Sequence, residues 1–184
     1  LTSRGIAASL GHSMATYAEA EAAFTAGANR VAHLYNAMRP FDHREPGIIG
    51  ASLVDDSVFT EITLDGVHVH PGAAELALSA KGRQKVLLVT DAMQAAGQPD
   101  GVYYRPGNRK IIVKDGAARV ESGSLAGSVL MLDNAVRYAI GILGVPADAA
   151  VQMASFNIAR SLGLEDQVGS LAAGLPADLI LLDA

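Results

Sequence analysis

The sequence predicts an α/β fold built on a parallel sheet, and three observations support this prediction. Short apolar runs recur along the chain, each run ends at a polar residue, and the first and third runs are followed by a loop and residues typical of helix ends. Strands that alternate with helices in this way form parallel sheets. The run "VLLV" at 86–89 is also apolar without interruption, which is typical of a strand covered on both faces.

The first unit joins a strand to a helix. The apolar run at 5–10 is followed by His12. Thr16 and Glu19 then have the T-x-x-E spacing of a capping box, in which the two side chains satisfy each other's backbone amides at the start of a helix. Gly27 is placed to end that helix.

The second and fourth units deliver polar residues in the same way. The run in "RVAHLYN" stops at His33, and the run "KVLLVTDAM" places Asp91 immediately after its apolar residues. A short buried strand that stops at a polar cluster is typical of a strand that carries side chains to a site at its end.

The third unit is an alternating strand followed by a helix. Apolar and polar residues alternate over 59–64, and His68 and His70 come next. Pro71 suits the first position of a helix, and Gly82 suits the position after its end.

The sequence pattern changes twice in the remaining chain. Turn-forming residue pairs and alternating apolar and polar residues over 97–123 predict a small antiparallel hairpin structure over the site. From Ser128 the apolar spacing predicts a helix, and Pro146 and Ser155 suit the starts of two more. The segment 166–184 reads as strand, Gly-Pro turn and strand, so we expect it to leave the main sheet and join another.

Composition limits the function classes. Half of the 184 residues are hydrophobic, enough to bury the core of one domain, and the net charge of −5 argues against a nucleic-acid partner. No apolar stretch reaches the roughly 20 residues of a membrane span, so we expect no membrane partner. The absence of Cys suits a reducing cytoplasm, and the start "LTSRG" leads us to expect a piece of a longer protein.

The strand ends together predict a metal site. His12, His33, the pair His68 and His70, and Asp91 each follow a predicted strand. In a (β/α) barrel the carboxyl ends of successive strands converge on one face, so these residues would form a cluster. Without Cys, imidazole and carboxylate are the available ligands, and they suit a divalent ion, Zn²⁺ or Fe²⁺, without deciding between them.

This ligand set indicates metal-assisted hydrolysis. A metal lowers the pKa of a bound water toward about 7, and a neighbouring carboxylate can take the proton and later pass it to the leaving group. Taken alone, each of these histidines more often has a structural role. Their placement with Asp91 at successive strand ends favours the catalytic interpretation.

Several motifs carry a resemblance to a known family. The segments "GHSMATYAEAEAAFTAGANRVAHLYNAMRPFDHREPGIIGA", "LDGVHVHP", "LVTDAMQAAG" and "GSLAGS" occur in this order. They resemble the C-terminal half of the N-acetylglucosamine-6-phosphate deacetylases of the amidohydrolase superfamily. The resemblance implies the C-terminal half of a TIM (β/α)8 barrel over 1–165 and strands of a small β-sandwich domain over 166–184.

The resemblance also implies an activity and its residues. Family members hydrolyse the acetamide of N-acetylglucosamine 6-phosphate, a small amino-sugar phosphate, to glucosamine 6-phosphate and acetate, with a divalent metal. His12 and His33 match the metal-binding histidines, and Asp91 matches the acid/base. The family's metal-binding glutamate lies on an earlier strand, for which this chain has no counterpart.

Seven further residues match the family's substrate-binding positions. Asn36 and Ala37 match positions that line the sugar phosphate, and Arg44 and His68 match positions that anchor its phosphate group. Leu125, Ala126 and Gly127 match the segment that closes over the acetyl group. Ala126 stands where the family frequently has serine.

Two alternatives to this function stay open. The chain could act on another amide within the same superfamily, or it could be a non-catalytic fragment without bound metal. We also expect a homo-oligomer, most simply a dimer, because exposed strand edges in so apolar a chain need covering.

Overall fold

The computed structural model describes residues 1–181, and in this range the chain forms one parallel and one antiparallel sheet with helices packed on the first. The strands of the parallel sheet lie side by side in chain order. Their bounds are β1 (Ala8–Leu10), β2 (Ala28–Val31), β3 (Phe59–Ile62) and β4 (Val86–Leu88). The predicted α/β class is therefore confirmed.

Three helices connect the parallel strands and three follow the antiparallel sheet within residues 1–181. The connecting helices are α1 (Tyr17–Thr25), α2 (Gly47–Val54) and α3 (Pro71–Lys81). The later helices are α4 (Leu132–Gly141), α5 (Ala147–Ala154) and α6 (Phe156–Leu162). None of these six has the length and apolar character that a membrane crossing requires.

The main hydrophobic core lies between the parallel sheet and its helices. Val31, Ile62 and Leu88, from three neighbouring strands, are almost completely buried in it with Ile48 of α2 and Met153 of α5. Because close-packed side chains allow little movement, this core holds the ends of the strands in fixed positions.

The start of α1 follows the predicted capping box. The Thr16 side chain accepts the Glu19 N–H, and the Thr16 N–H donates to Oε2 of Glu19 at 2.8 Å. Gly27 follows the helix with a φ of 100°, a conformation that favours glycine. Both predicted ends of this helix are confirmed.

The ends of α3 are also as predicted. His70 is the N-cap, and its side chain accepts the Gly72 N–H at 3.1 Å. Pro71 is the first helical residue, and Gly82 is the C-cap. His70 therefore caps the helix that follows β3.

The helix α2 has no counterpart in the sequence-based prediction. All its residues except Val54 are buried, so it has no polar face and no helical period in its hydrophobic pattern. Amphipathic periodicity reveals a helix only when one face meets water. The signal was therefore absent, although the helix packs between α1 and α3.

The antiparallel sheet confirms the hairpins predicted in 97–123. Its strands lie in chain order: β5 (Gly101–Arg105), β6 (Arg109–Lys114), β7 (Ala117–Val120) and β8 (Leu125–Ser128). One face buries Ile111 and Val113 against Met93, which follows β4. The predicted helix start at Ser128 was wrong by four positions, because residues 125–128 form β8 and pair with β7.

The C-terminal part agrees with the sequence in its helices and differs after them. Pro146 and Ser155 are the N-caps of α5 and α6, as predicted. Residues 166–181 form turns and no strand, and 182–184 lie outside the described residues. A strand needs a neighbouring strand to receive its backbone hydrogen bonds, and no described strand lies beside this segment. The expected return to a sandwich domain stays a prediction.

Candidate active site

Three of the predicted site residues follow the strands of the parallel sheet directly. His12 lies two residues after β1, His33 two residues after β2, and Asp91 three residues after β4. Parallel strands present their carboxyl ends at the same edge of a sheet. The three residues therefore belong to one edge of the molecule.

The two histidines contact each other. The centroids of the His12 and His33 rings are 4.8 Å apart, and the rings meet edge to face at 78°. Gly11 lets the segments after β1 and β2 approach closely, because a Cβ at position 11 would lie 3.0 Å from the Cβ of Ala32. His12 is exposed, whereas His33 is half-buried and its Nδ1 has no hydrogen-bond partner in residues 1–181.

Asp91 lies beside the segment that the sequence predicts to close over the acetyl group. The Asp91 carbonyl accepts the Ser128 N–H at 3.0 Å, and the Ser128 carbonyl accepts the Met93 N–H at 2.8 Å. Gly127 has a φ of 96°, and a Cβ there would lie 3.6 Å from the Asp91 carbonyl oxygen. These contacts bring Leu125, Ala126 and Gly127 to the end of β4.

His68 forms a buried pair with Asp65. Nδ1 of His68 lies 2.6 Å from Oδ2 of Asp65, and each side chain is only 6% exposed. This hydrogen bond raises the pKa of His68 above its usual value, against the effect of burial, and the charge of Asp91 adds to the rise. Burial raises the pKa of Asp65, but the bonds it receives from His68 and Val67 outweigh burial and lower it.

Comparison with known proteins identifies the family. The sequence pattern described as the amidohydrolase family matches residues 2–184. The chain belongs to the amidohydrolase family.

The relatives of this amidohydrolase include deacetylases of phosphorylated amino sugars. It is 43% identical over 184 residues to N-acetylgalactosamine-6-phosphate deacetylase of Escherichia coli O157:H7, covering all of this chain and 48% of the relative. It is 40% identical over 183 residues to N-acetylglucosamine-6-phosphate deacetylase of Lysinibacillus sphaericus, covering all of this chain and 47% of that protein. The chain thus spans about half the length of these curated relatives.

A solved structure shows the same fold. N-acetyl-D-glucosamine-6-phosphate deacetylase of Mycobacterium smegmatis, crystallised as a mutant in complex with N-acetyl-D-glucosamine-6-phosphate, superposes with a TM-score of 0.92. It is 42% identical, and the match covers all of this chain and 49% of that one.

Asn36 and Ala37 lie in a tight turn after His33 of the amidohydrolase. The Asn36 side chain donates to the Leu34 carbonyl at 3.2 Å, and Tyr35 and Ala37 both have positive φ values, 75° and 52°. This turn keeps both predicted substrate residues close to the His12–His33 pair.

Arg44, the other predicted phosphate anchor, lies exposed in the loop before α2, and its backbone N–H donates to Asp42 at 2.9 Å. In residues 1–181 no hydrogen bond or ion pair joins its guanidinium to another predicted site residue. Glu45 ties this loop to α1 by accepting the Tyr17 N–H at 2.7 Å.

Sequence reasoning missed two acidic residues at this edge of the amidohydrolase sheet. Burial raises the pKa of Glu61 on β3, while the charges of Arg30 and His33 lower it and that of Asp91 raises it. Its only sequence signal was a carboxylate within the apolar strand "FTEITL". The other, Asp65, was visible as the acidic residue of "LDGVH".

The histidine pair fits a divalent metal. Deacetylases of this family depend on a metal, and two adjacent imidazoles are ligands that such ions favour. A buried ring nitrogen without a partner, as in His33, is costly unless a ligand satisfies it. No three His, Asp or Glu side chains in residues 1–181 are grouped closely enough to hold an ion by themselves, so further ligands are needed.

Proposed function

We propose that this chain is the catalytic portion of a metal-dependent N-acetylglucosamine-6-phosphate deacetylase. The reaction would convert N-acetylglucosamine 6-phosphate to glucosamine 6-phosphate and acetate in the cytoplasm. The observation that carries the proposal is the contact between His12 and His33 at the ends of adjacent strands, with Asp91 at the same edge of the sheet. The names of the two relatives support N-acetylhexosamine 6-phosphates as the substrate class.

We assign the parallel sheet to the C-terminal half of a TIM (β/α)8 barrel, with 1–165 as the barrel portion. Four parallel strands in chain order, with a helix after each of the first three, are half of the repeating pattern of such a barrel. The segment 166–184 would then lead to a small β-sandwich domain.

The proposed chemistry divides between His12, His33 and Asp91. The two imidazoles would hold a divalent ion, Zn²⁺ or Fe²⁺, which supplies Lewis acidity to water and to the acetamide carbonyl when bound. The Asp91 carboxylate would accept a proton from the attacking water. As the C–N bond breaks, the Asp91 carboxyl would return that proton to the nitrogen, so that acetate and the amine leave together.

The remaining residues would position the substrate. The turn at Asn36 and Ala37 would contact the sugar, and 125–127 would close over the acetyl methyl. His68 would hold the phosphate through its ring, and Arg44 would add a second cation there. Because an imidazolium and a guanidinium both bind phosphate by charge-assisted hydrogen bonds, this set favours phosphorylated sugars over neutral ones.

The role of Asp91 can be tested with Asp91→Asn. We expect turnover to fall by about 10²- to 10⁴-fold, the usual contribution of a general acid–base group, with metal content unchanged. Acetate release from N-acetylglucosamine 6-phosphate is measured with and without chelator. Asp115→Asn is the matched control, because Asp115 is also an exposed aspartate with positive φ but lies in a hairpin turn.

The assay uses two forms of the protein. One is the 184-residue chain, and the other is a chimera in which this chain replaces the matching half of the Lysinibacillus relative. Retained turnover in the Asp91→Asn chimera would refute the role of Asp91. A parent chimera that binds no metal and releases no acetate would support the non-catalytic alternative.

A further inference from the structure

We propose that Asp65 is a positioning residue that fixes the orientation of the His68 ring by holding its Nδ1–H, so that the ring presents Nε2 to the phosphate of the substrate. The inference rests on the proposed function, in which His68 anchors that phosphate.

Both oxygens of Asp65 are engaged, and they engage the same short loop. Oδ1 accepts the backbone N–H groups of Val67 and His68 at 2.9 Å and 2.8 Å. Oδ2 lies 2.6 Å from Nδ1 of His68. An ionised carboxylate only accepts hydrogen bonds, so Nδ1 must carry a hydrogen in this contact.

With Nδ1 committed, Nε2 is the nitrogen left for a ligand. Within residues 1–181 no side chain or backbone group forms a hydrogen bond with Nε2. This nitrogen is also not among the completely buried polar atoms that lack a partner. The His68 side chain is 6% exposed, so its ring can meet a ligand through little more than one edge. A carboxylate that fixes the proton of one ring nitrogen determines what the other can do.

The surroundings of His68 favour its protonated ring on balance. Asp65 raises the pKa of His68, Asp91 beyond β4 acts in the same direction, and Arg119 of β7 acts against them. On the far side of the loop, Tyr138 of α4 packs on Gly66, where an added Cβ would lie 3.1 Å from its ring. A protonated His68 can donate from Nε2 with a full charge, as phosphate recognition requires.

The variant Asp65→Asn removes the carboxylate charge and keeps the conformation of the loop. The amide oxygen can still accept from Val67 and His68, so the turn is retained. The amide nitrogen then faces Nδ1 as a donor, which favours the neutral ring protonated at Nε2. The matched control is Asp55→Asn, because Asp55 also accepts from a nearby backbone N–H, that of Ser57 at 2.8 Å, and lies outside the site.

The first measurement follows the imidazole signals of the 184-residue chain by NMR during a pH titration. We expect the His68 ring to titrate at lower pH in Asp65→Asn than in the parent, and at the parent value in Asp55→Asn. Inorganic phosphate should shift the Nε2 signal of the parent more than that of Asp65→Asn. An unchanged His68 titration in Asp65→Asn would overturn the inference, whatever the kinetics show.

The second measurement is steady-state kinetics of the chimera. We expect Asp65→Asn to raise KM for N-acetylglucosamine 6-phosphate about tenfold, which corresponds to one weakened charge-assisted hydrogen bond, with kcat little changed. The kcat/KM for unphosphorylated N-acetylglucosamine should stay at the parent value. A lowered His68 titration with an unchanged KM would overturn the phosphate role of His68 itself, and the inference with it.

Discussion

The residues assigned to the chemistry share a backbone conformation that side chains rarely adopt. His12, His33 and Asp91 have φ values of 45°, 28° and 49°. Within residues 1–181 seven non-glycine residues have positive φ, and the four others are Tyr35 and Ala37 in the site turn and Asn108 and Asp115 in hairpin turns. Such strain costs about 1–3 kcal/mol at each position and persists where the surrounding structure enforces it.

The backbone strain at His12 predicts that glycine at this position is more stable than alanine, the reverse of the usual order. His12→Gly should be more stable than His12→Ala by about 1 kcal/mol, because glycine adopts positive φ without a steric penalty. Urea denaturation with chelator present measures the difference without a contribution from metal binding. At Met14, an exposed loop residue without positive φ, alanine should equal or exceed glycine. A more stable His12→Ala would contradict the prediction.

The sequence identified the residues that end an apolar run and missed those with a different placement. His12, His33 and Asp91 were predicted because each follows a recognisable strand. Asp65 is distinguished by its hydrogen bond to His68 and Glu61 by its burial, and no spacing rule contains either feature.

At the scale of elements, a helix was predicted where its ends carried recognisable residues. The helices α1 and α3 were recognised from the residues that cap them, whereas the buried α2 had no helical period to detect. The segment 166–181 shows the reverse case. Its composition suits a strand, but the described residues form turns, because a strand depends on a partner that a local pattern does not reveal.

The two helices α2 and α3 are joined by a buried lysine. Nζ of Lys81 donates to the Ser52 carbonyl at 2.6 Å and to the Asp55 carbonyl, and the residue is 5% exposed. These carbonyls lie at the C-terminal end of α2, where cations are favourable. Burial nevertheless lowers the pKa of Lys81 from 10.5 to about 8.

The pKa of Lys81 predicts a stability that rises with pH. Between pH 8 and 10.5 the folded chain releases this proton while the unfolded chain keeps it, so higher pH favours folding. The free energy of unfolding, relative to Lys81→Met, should rise by up to about 3 kcal/mol across this range. A neutral amine keeps two N–H donors, enough for both carbonyls. Urea denaturation at pH 7 and pH 10 measures the change.

The exposed Lys114 provides the control for this prediction. Lys114→Met should leave the pH dependence of unfolding as it is in the parent, because its side chain is open to water in the folded chain. A difference between the parent and Lys81→Met that falls with pH would contradict the assignment of a lowered pKa.

At the scale of the molecule, the parallel sheet has two unequal edges. Beyond β4, Ala92 bridges Ser128 of β8, so part of that edge is occupied. At the other edge β1 pairs with β2 alone among the described strands, and the exposed side chains of Ile6 and Met14 flank it. An unpaired edge bordered by apolar residues is prone to pair with another chain.

We therefore expect the 184-residue chain to form a dimer through β1. Light scattering during gel filtration should give twice the chain mass of 19.0 kDa. Ser9→Lys places a charge within β1, and burying it against a second chain is costly, so this variant should be monomeric at the same concentration. Ser3→Lys introduces the same change outside the sheet and should remain dimeric. A parent chain of 19.0 kDa, or a Ser9→Lys dimer, would show that β1 is not the contact.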